Sequence, residues 1–521
     1  MRRLPQEYFE QRGVEIATEL KGRRDRLADM ADSYYRFLAA EVDVHGSNVD
    51  EIAVVDWLEG GGVDVSVAAL DANGNPEEAY YRRRFESRET NEVRIYLHGG
   101  DDKVVTRGRR GNGVKVRVIG GPGDDEVDDA QGSGLDFYDS EGNNQVVGGN
   151  GTHLRTKPYP APDRPEPNNV PWVPDRDWGR LSKPLIVVGY HADPGLILGA
   201  GFDSTGYGFR KDPSASRHTL RAAFAIGAVK PFIDYVGAFQ RENSSLGYTV
   251  EARASGIEQL RYYGLGNETP EDQDSSVYEI SNFQTSAFVG LEWGRGAGGG
   301  FAVGPFFLFS DSSGTDPGTV LQQQQPLGFD TFGQAGLEAR GSYDSRGEGN
   351  VFSGGINFDA KARYVPEIWD VDSAFGSVEG EVAGHIPLGS RFLLSLTGGG
   401  KKLWGDYPFF EAAYIGGHNT TVGYHWNRFA GDASLYGIAE LRWIIKKMNA
   451  VVPGEFGLVF EGDAGRVFLD GEDSDTWHPA YGLGVFYAPF RRTSYAEIAF
   501  GKTDENSFVL FKVEMRGFGL Q

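Results

Sequence analysis

The chain has 521 residues, of which 74 are glycine, none is cysteine and 13% are aromatic, and its formal net charge is −23. The missing cysteines exclude a disulfide scaffold, thiolate zinc centres and a cysteine nucleophile, and the acidic balance excludes nucleic acid as a partner, because displacing phosphate counterions takes basic residues. Abundant glycine and aromatics beside only 40% hydrophobic residues fit neither a disordered chain nor a helical enzyme, and point to many glycine-punctuated strands.

Behind Arg2 and Arg3 no apolar stretch follows, so no signal peptide is read there. Residues 1–43 read as an amphipathic helix, with Ile16, Leu20, Leu27, Ala31, Tyr34 and Leu38 at helical spacings, expected to pack on its own domain. Residues 44–157 read as a small β-rich domain: Val63-Asp64-Val65-Ser66-Val67 and Val93-Arg94-Ile95-Tyr96-Leu97 alternate, and Asn73-Gly74-Asn75 is a turn. Within it Gly120-Gly121-Pro122-Gly123-Asp124-Asp125-Glu126-Val127-Asp128 satisfies the glycine-rich nonapeptide of calcium-binding β-rolls, preceded by Gly99-Gly100-Asp101-Asp102 and echoed from Gly132 to Asp139. Asp125, Asp128 and Asp136 are therefore the calcium candidates, and calcium is the one cofactor the sequence suggests. Against them, Asp125 and Asp136 stand eleven positions apart, where coils sharing an ion need about nine. Acidic Gly-Asp turns between strands account for the same residues.

Residues 158–183 read as a proline-rich, extended linker that closes with Trp172 and Trp178, side chains suited to a membrane interface or to packing on the next domain. From 184 to 521 period-two alternation recurs between turn clusters. Tyr248, Val250, Ala252 and Ala254 oppose Thr249, Glu251, Arg253 and Ser255; Val509, Phe511, Val513 and Met515 oppose Leu510, Lys512, Glu514 and Arg516. No run approaches ~18 consecutive apolar residues, so a transmembrane helix is excluded, whereas a transmembrane β-barrel, apolar at every second position, is not. About 16 alternating segments are read, many near ten residues long, an even count that suits a closed antiparallel barrel with a wet, charged lumen. Short connections such as Asp193-Pro194-Gly195 are expected on one side and long ones, such as Gln259–Ser276 and Ser310–Asp330, on the other.

Between two of these segments lies Tyr414-Ile415-Gly416-Gly417-His418-Asn419-Thr420-Thr421-Val422-Gly423-Tyr424-His425-Trp426-Asn427-Arg428-Phe429-Ala430-Gly431-Asp432, followed by Glu440-Leu441-Arg442. Together with Tyr262-Tyr263-Gly264-Leu265-Gly266-Asn267 and Asp463-Ala464-Gly465-Arg466-Val467-Phe468, this resembles the bacterial surface antigen family, the barrel of outer-membrane assembly proteins of the BamA kind and of two-partner secretion transporters. The resemblance implies an all-β protein: a transmembrane barrel in a Gram-negative outer membrane, with 1–157 in the periplasm. It also implies the lipid bilayer and outer-membrane protein clients as partners, and insertion or translocation of proteins as the function. It makes Gly416, Gly417, Val422, Gly423, Tyr424, Arg428, Phe429 and Asp432 the residues of a loop folded into the lumen.

Two departures qualify it. The family's tetrapeptide arginine, thought to hold the loop against an acid on the wall, is Val422 here, and Arg428 is the candidate substitute. The family's repeated periplasmic modules are also missing from 1–157, an arrangement that looks like a branch in which the barrel follows an upstream phosphoesterase-type domain. No His-Glu-x-x-His, Gly-x-Ser-x-Gly or Walker A pattern occurs, and no enzyme is read. The alternatives are a barrel that only anchors another domain, and a secreted calcium-binding β protein.

Overall fold

The computed structural model describes residues 5–131, 134–160, 176–191, 193–271, 274–294, 298–346, 352–417, 420–449, 452–489, 492 and 494–515. It falls into two units, Met1–Pro165 and Glu166–Gln521. Trp172 and most of the proline-rich segment lie outside the described residues. No helix among the described residues is long and apolar enough to cross a membrane.

The expected single helix is two, α1 (Gln6–Asp25) and α2 (Leu27–Ala39), and it does not pack down as expected. Leu20, Leu27, Tyr34 and Leu38 are exposed, and only Gly13 and Ala39 are buried. Charged residues surround α1 on every side, so it offers no continuous apolar stripe to bury, whereas α2 does have an apolar face and leaves Leu27, Tyr34 and Leu38 of it exposed.

Eleven strands follow: β1 (Glu41–His45), β2 (Glu51–Trp57), β3 (Val63–Ala69), β4 (Tyr81–Phe85), β5 (Glu92–Tyr96), β6 (Lys103–Arg107), β7 (Lys115–Ile119), β8 (Glu126–Asp129), β9 (Asp136–Tyr138), β10 (Gln145–Gly148) and β11 (His153–Arg155). One sheet runs β1-β5-β7-β9-β11, the other β10-β8-β6-β2-β3-β4. All pairings are parallel except β2 with β3 and β3 with β4. From β5 onward the chain alternates between sheets, so each coil lays one strand on each. Glu92 pairs with Lys115, Arg117 with Asp136 and Asp136 with His153, steps of 23, 19 and 17 residues. The inward side chains are those the alternation singled out, Val63, Val65, Val67, Val93 and Ile95, joined by Val104, Val116, Val118 and Val127.

One corner of this coil is built by stacked acidic turns. Asp101 N–H donates to Asp50 Oδ1 at 2.9 Å, Asp124 N–H to Asp101 Oδ1 at 2.9 Å, and Asn143 N–H to Asp124 Oδ1 at 2.8 Å. A neighbouring ladder runs the opposite way: Glu51 N–H donates to Asp102 Oδ1 at 2.8 Å, Asp102 N–H to Asp125 Oδ1 at 3.0 Å, and Asp125 N–H to Asn144 Oδ1 at 2.9 Å. Backbone donors that turn away from the sheets are thereby satisfied. Gly123, at φ +148°, is required there, because a Cβ would strike Gly100 O on the coil below.

The second unit is a sheet of sixteen antiparallel strands in chain order. They are β12 (Arg180–His191), β13 (Gly195–Gly206), β14 (Ser216–Ala225), β15 (Lys230–Gln240), β16 (Leu246–Ser255), β17 (Phe283–Trp293), β18 (Gly299–Asp311), β19 (Thr331–Asp344), β20 (Gly355–Val365), β21 (Phe375–Leu388) and β22 (Phe392–Trp404), then, after a small hairpin of β23 (Ala413–Ile415) and β24 (Phe429–Gly431), β25 (Ala433–Asn449), β26 (Pro453–Phe468), β27 (His478–Pro489), β28 (Ser494–Thr503) and β29 (Ser507–Met515). β29 comes back beside β12, so the sheet curls into a barrel, although among the described residues no ladder joins those two strands.

The outer face is apolar: Ile186, Val188, Leu198, Phe202, Leu337, Val382, Leu396, Phe500 and Val509 are all exposed. Their inward neighbours carry the charge. Arg221 meets Asp234 at 2.9 Å, Arg340 meets Glu251 at 3.0 Å, Arg363 meets Glu338 at 2.8 Å, and Arg442 meets Glu440 at 2.6 Å and Glu497 at 3.0 Å. An apolar outside around a charged inside is the inverse of a soluble β protein, and it is the arrangement that suits strands spanning a bilayer. The secreted soluble alternative is thereby excluded.

One expectation is corrected. The short connection at Asp193-Pro194-Gly195 and the long ones over 256–282 and 312–330 lie at the same end of the barrel, since each follows an odd-numbered strand of the sixteen. Length does not sort the connections because the long ones at this end fold over one another: Tyr262, Leu321, Phe409 and Phe410 share one apolar cluster.

Candidate functional site

The segment between β22 and β25 leaves and re-enters the wall beside itself. Its base is tied by Asp432, whose Oδ1 accepts from Tyr407 O–H at 2.5 Å and whose Oδ2 accepts from Asp470 N–H at 2.7 Å. Above this, β23 and β24 pair and carry the tip, residues 416–428, between them. His418 and Asn419 lie outside the described residues.

The tip holds its shape by short-range contacts. Gly416 N–H donates to Thr420 Oγ1 at 2.8 Å, and Gly417 N–H to Tyr424 O at 3.2 Å. Gly423 sits at φ +94°, and a Cβ there would strike the Phe508 ring, so no other residue fits. Tyr424 is buried, donates its O–H to Pro479 O at 3.1 Å and packs edge-on to Phe429, whose ring stacks on His478 at 3.6 Å between centroids. Val422 is buried against Ala499 and Leu510, and its N–H donates to Asp463 Oδ1 at 3.1 Å. The wall acid is thus present, but the residue facing it offers only its backbone.

Arg428 makes the charged contact instead. It is 2% exposed, and its Nε and Nη2 donate to the two oxygens of Glu505 at 2.9 and 2.6 Å. Nη1 donates to Thr269 Oγ1 at 2.8 Å and Nη2 to Thr269 O at 2.7 Å, while the guanidinium lies over the Tyr263 and Phe429 rings. A two-point carboxylate contact with aromatic rings against the guanidinium is the environment for which arginine is the fitting side chain.

Three further anchors were not singled out from the sequence. Glu411 is 4% exposed; its Oε1 accepts from Gln334 Nε2 at 2.7 Å and Arg363 Nη1 at 2.9 Å, and its Oε2 lies 3.5 Å from Lys401 Nζ, so it bridges the loop to the inner wall. Asp193 accepts from Trp426 N–H at 2.9 Å and Arg261 Nε at 2.6 Å and sits 2.8 Å from His425 Nδ1. Asn267, fully buried, joins two of the motifs read separately: its Oδ1 accepts from Val467 N–H at 2.9 Å, and its Nδ2 donates to Ser474 Oγ and Thr476 O, both at 2.9 Å. Beneath the loop a cavity of about 640 Å³ is lined by Glu251, Arg340, Lys361, Glu379, Lys401 and Tyr436 from the wall and by Tyr414 and Thr420 from the loop. The arrangement is a pinned plug over a charged, wet chamber.

The calcium candidates do not converge. Asp136 meets Lys115 Nζ at 2.9 Å and His153 Nδ1 at 3.3 Å, Asp128 Oδ1 accepts from Ala130 N–H at 3.1 Å, and Asp125 belongs to the corner ladder.

No protein-family model matches the chain, and no curated protein matches it. Solved structures similar to it include BamA of Haemophilus ducreyi lacking POTRA domains 1–3, at TM-score 0.46 and 12% identity, covering 64% of this chain and 69% of that one. CdiB of Escherichia coli is similar at TM-score 0.42 and 11% identity over 64% of this chain and 61% of its own. CdiB of Acinetobacter baumannii is similar at TM-score 0.38 and 12% identity over 65% and 60% respectively.

Proposed function

We propose that this chain is a non-catalytic outer-membrane barrel that inserts or translocates proteins, with its first unit in the periplasm and the lipid bilayer around its apolar wall. The observation that supports this reading is the plug: a loop of glycines and aromatics, held in the barrel by one buried arginine and one buried glutamate, leaves a charged chamber beneath it. Such a plug suits a passage that opens when its anchors release. Depleting the protein from its host should lower the amounts of other barrels in the outer membrane or of a secreted client, and the purified protein should conduct ions in planar bilayers. A barrel serving only as an anchor is the second reading, favoured by Glu411, which ties the loop to Arg363 and Lys401 on the inner wall. Unchanged outer-membrane composition on depletion, together with a silent bilayer, selects the anchor.

A further inference from the structure

The two ends of the barrel carry opposite charge. Counted along the sequence, the connections that follow odd-numbered strands of the sixteen, the end with the long loops, hold 21 aspartates and glutamates and two arginines. Those at the other end hold three acids and eight arginines and lysines. Residues 256–282 and 469–477 alone supply ten of the 21 acids.

Neither arginine at the acidic end faces the water there. The Arg428 side chain is 2% exposed and held by Glu505 at 2.6 Å, and the Arg261 side chain is 11% exposed and held by Asp193 at 2.6 Å. The acids do face it: Asp274, Asp316, Glu367, Asp372, Asp473 and Asp475 are all exposed, and among the described residues no lysine, arginine or histidine pairs with any of them. A face of one sign without ion pairs repels itself and sets up a potential of several kT. Behind the plug the balance is even. The chamber of about 640 Å³ and a neighbouring cavity of about 520 Å³ are lined together by seven acidic and six basic side chains. An interior of balanced sign discriminates little between ions, so discrimination falls to the ends.

We propose that the long-loop end is a cation-gathering surface, and that it makes the passage through the barrel prefer cations to anions. The second part rests on the passage proposed above and adds the sign of charge that it admits. Fixed carboxylates at a mouth raise the local concentration of cations and exclude anions, as rings of Asp and Glu do in cation channels. The eight basic residues at the opposite end act in the reverse sense, but with fewer charges and with three acids among them.

The chain has no cysteine, so Ser275→Cys at the acidic end and Ser390→Cys at the other end each give a protein with a single exposed thiol. The full chain in micelles at low salt is labelled with a cationic and with an anionic methanethiosulfonate. The ratio of the two rates, divided by the same ratio for a small free thiol, reads the local potential and cancels the reactivity of the thiol itself. It should favour the cation by about tenfold or more at Ser275→Cys, approach unity at about 1 M salt, where the Debye length is about 3 Å, and stay at or below unity at Ser390→Cys. In planar bilayers under a potassium chloride gradient the reversal potential should show cation preference, and Asp372→Lys, Asp473→Lys and Asp475→Lys together should reduce it. Equal labelling ratios at the two ends overturn the proposal, as does a current without cation preference or one whose preference the triple substitution leaves unmoved. A bilayer that stays silent even with Arg428→Ala removes the passage itself, and the labelling ratio then decides alone whether the acidic end gathers cations.

Discussion

Replacing Arg428 by alanine removes one partner of a buried ion pair and four hydrogen bonds at once. Such a loss costs about 3–5 kcal/mol when the remaining charge stays buried. Glu505 is 22% exposed at its side chain, so water relieves part of that cost, and Glu411 and Asp193 still hold other parts of the loop. The lower end, about 3 kcal/mol, is the fitting figure, and it corresponds to a rise of roughly 150-fold in the open population of the loop tip. The chain has no cysteine, so Thr421→Cys gives a clean reporter: Thr421 is fully buried and its hydroxyl has no partner. Maleimide labelling at that position should be slow in the Thr421→Cys protein and faster by about two orders of magnitude when Arg428→Ala is added, if opening precedes labelling. Adding Glu505→Ala should then change little, because the pair is already broken. Labelling that rises less than about threefold in Arg428→Ala, or that rises independently with each substitution, refutes the anchor.

Glu411→Gln keeps the shape but removes the charge shared by Arg363 and Lys401, so the chamber becomes more positive; in planar bilayers under a salt gradient the reversal potential should shift toward anion preference, with a stability loss of about 1–3 kcal/mol. The first unit should lose stability as pH rises. Asp102 and Asp125 have folded pKa values above their unfolded ones, so their contribution is full below about pH 4 and is lost as pH climbs through 7 to 8, at a slope of at most about 1.4 kcal/mol per pH unit for each group. Hydrogen exchange of β5–β9 in chelator at pH 5 and pH 8 reads this directly, and faster exchange at pH 5 after correction for intrinsic rates contradicts it.

Much of the barrel was legible because a membrane strand declares itself: one face must be apolar over the whole crossing, so Tyr248 and Val509 point out and Thr249 and Leu510 point in, as the alternation implied. Misreadings fell where alternation continues past the wall. Alternation runs on ahead of Phe283, where the strand begins, but Tyr278 and Ile280 face the loops, Tyr278 stacking on Tyr263 at 4.5 Å. In the first unit the valines marked the core but not their partners. Period two does not say which strand lies alongside, and coil steps of 23, 19 and 17 residues hide the repeat. A signal was available: Gly100-Asp101-Asp102, Gly123-Asp124-Asp125 and Gly142-Asn143-Asn144 occupy equivalent corners. In the loop, Gly423, Tyr424 and Arg428 stood out in the sequence, whereas Glu505 and Asp193 did not, because they lie 77 and 232 residues from the residues they hold.

Which of positions 422 and 428 can carry the charged anchor is itself open to test. Val422 packs on Ala499 and Leu510 of β28 and β29, while Asp463, which takes its N–H, belongs to β26. An arginine at 422 has to displace those apolar contacts, at about 1–3 kcal/mol for the added volume, before its charge is matched. Meanwhile Glu505, on the connection between β28 and β29, keeps Arg428. Val422→Arg in the presence of Arg428 should therefore speed labelling at Thr421→Cys rather than slow it. In Arg428→Ala the same substitution should fail to restore protection, because Glu505 remains unpaired and the Val422 packing is gone as well. Labelling that returns to its original slow rate in the combined variant would mean that position 422 can carry the anchor against Asp463, and that the contact between Arg428 and Glu505 is not the one arrangement that holds the loop.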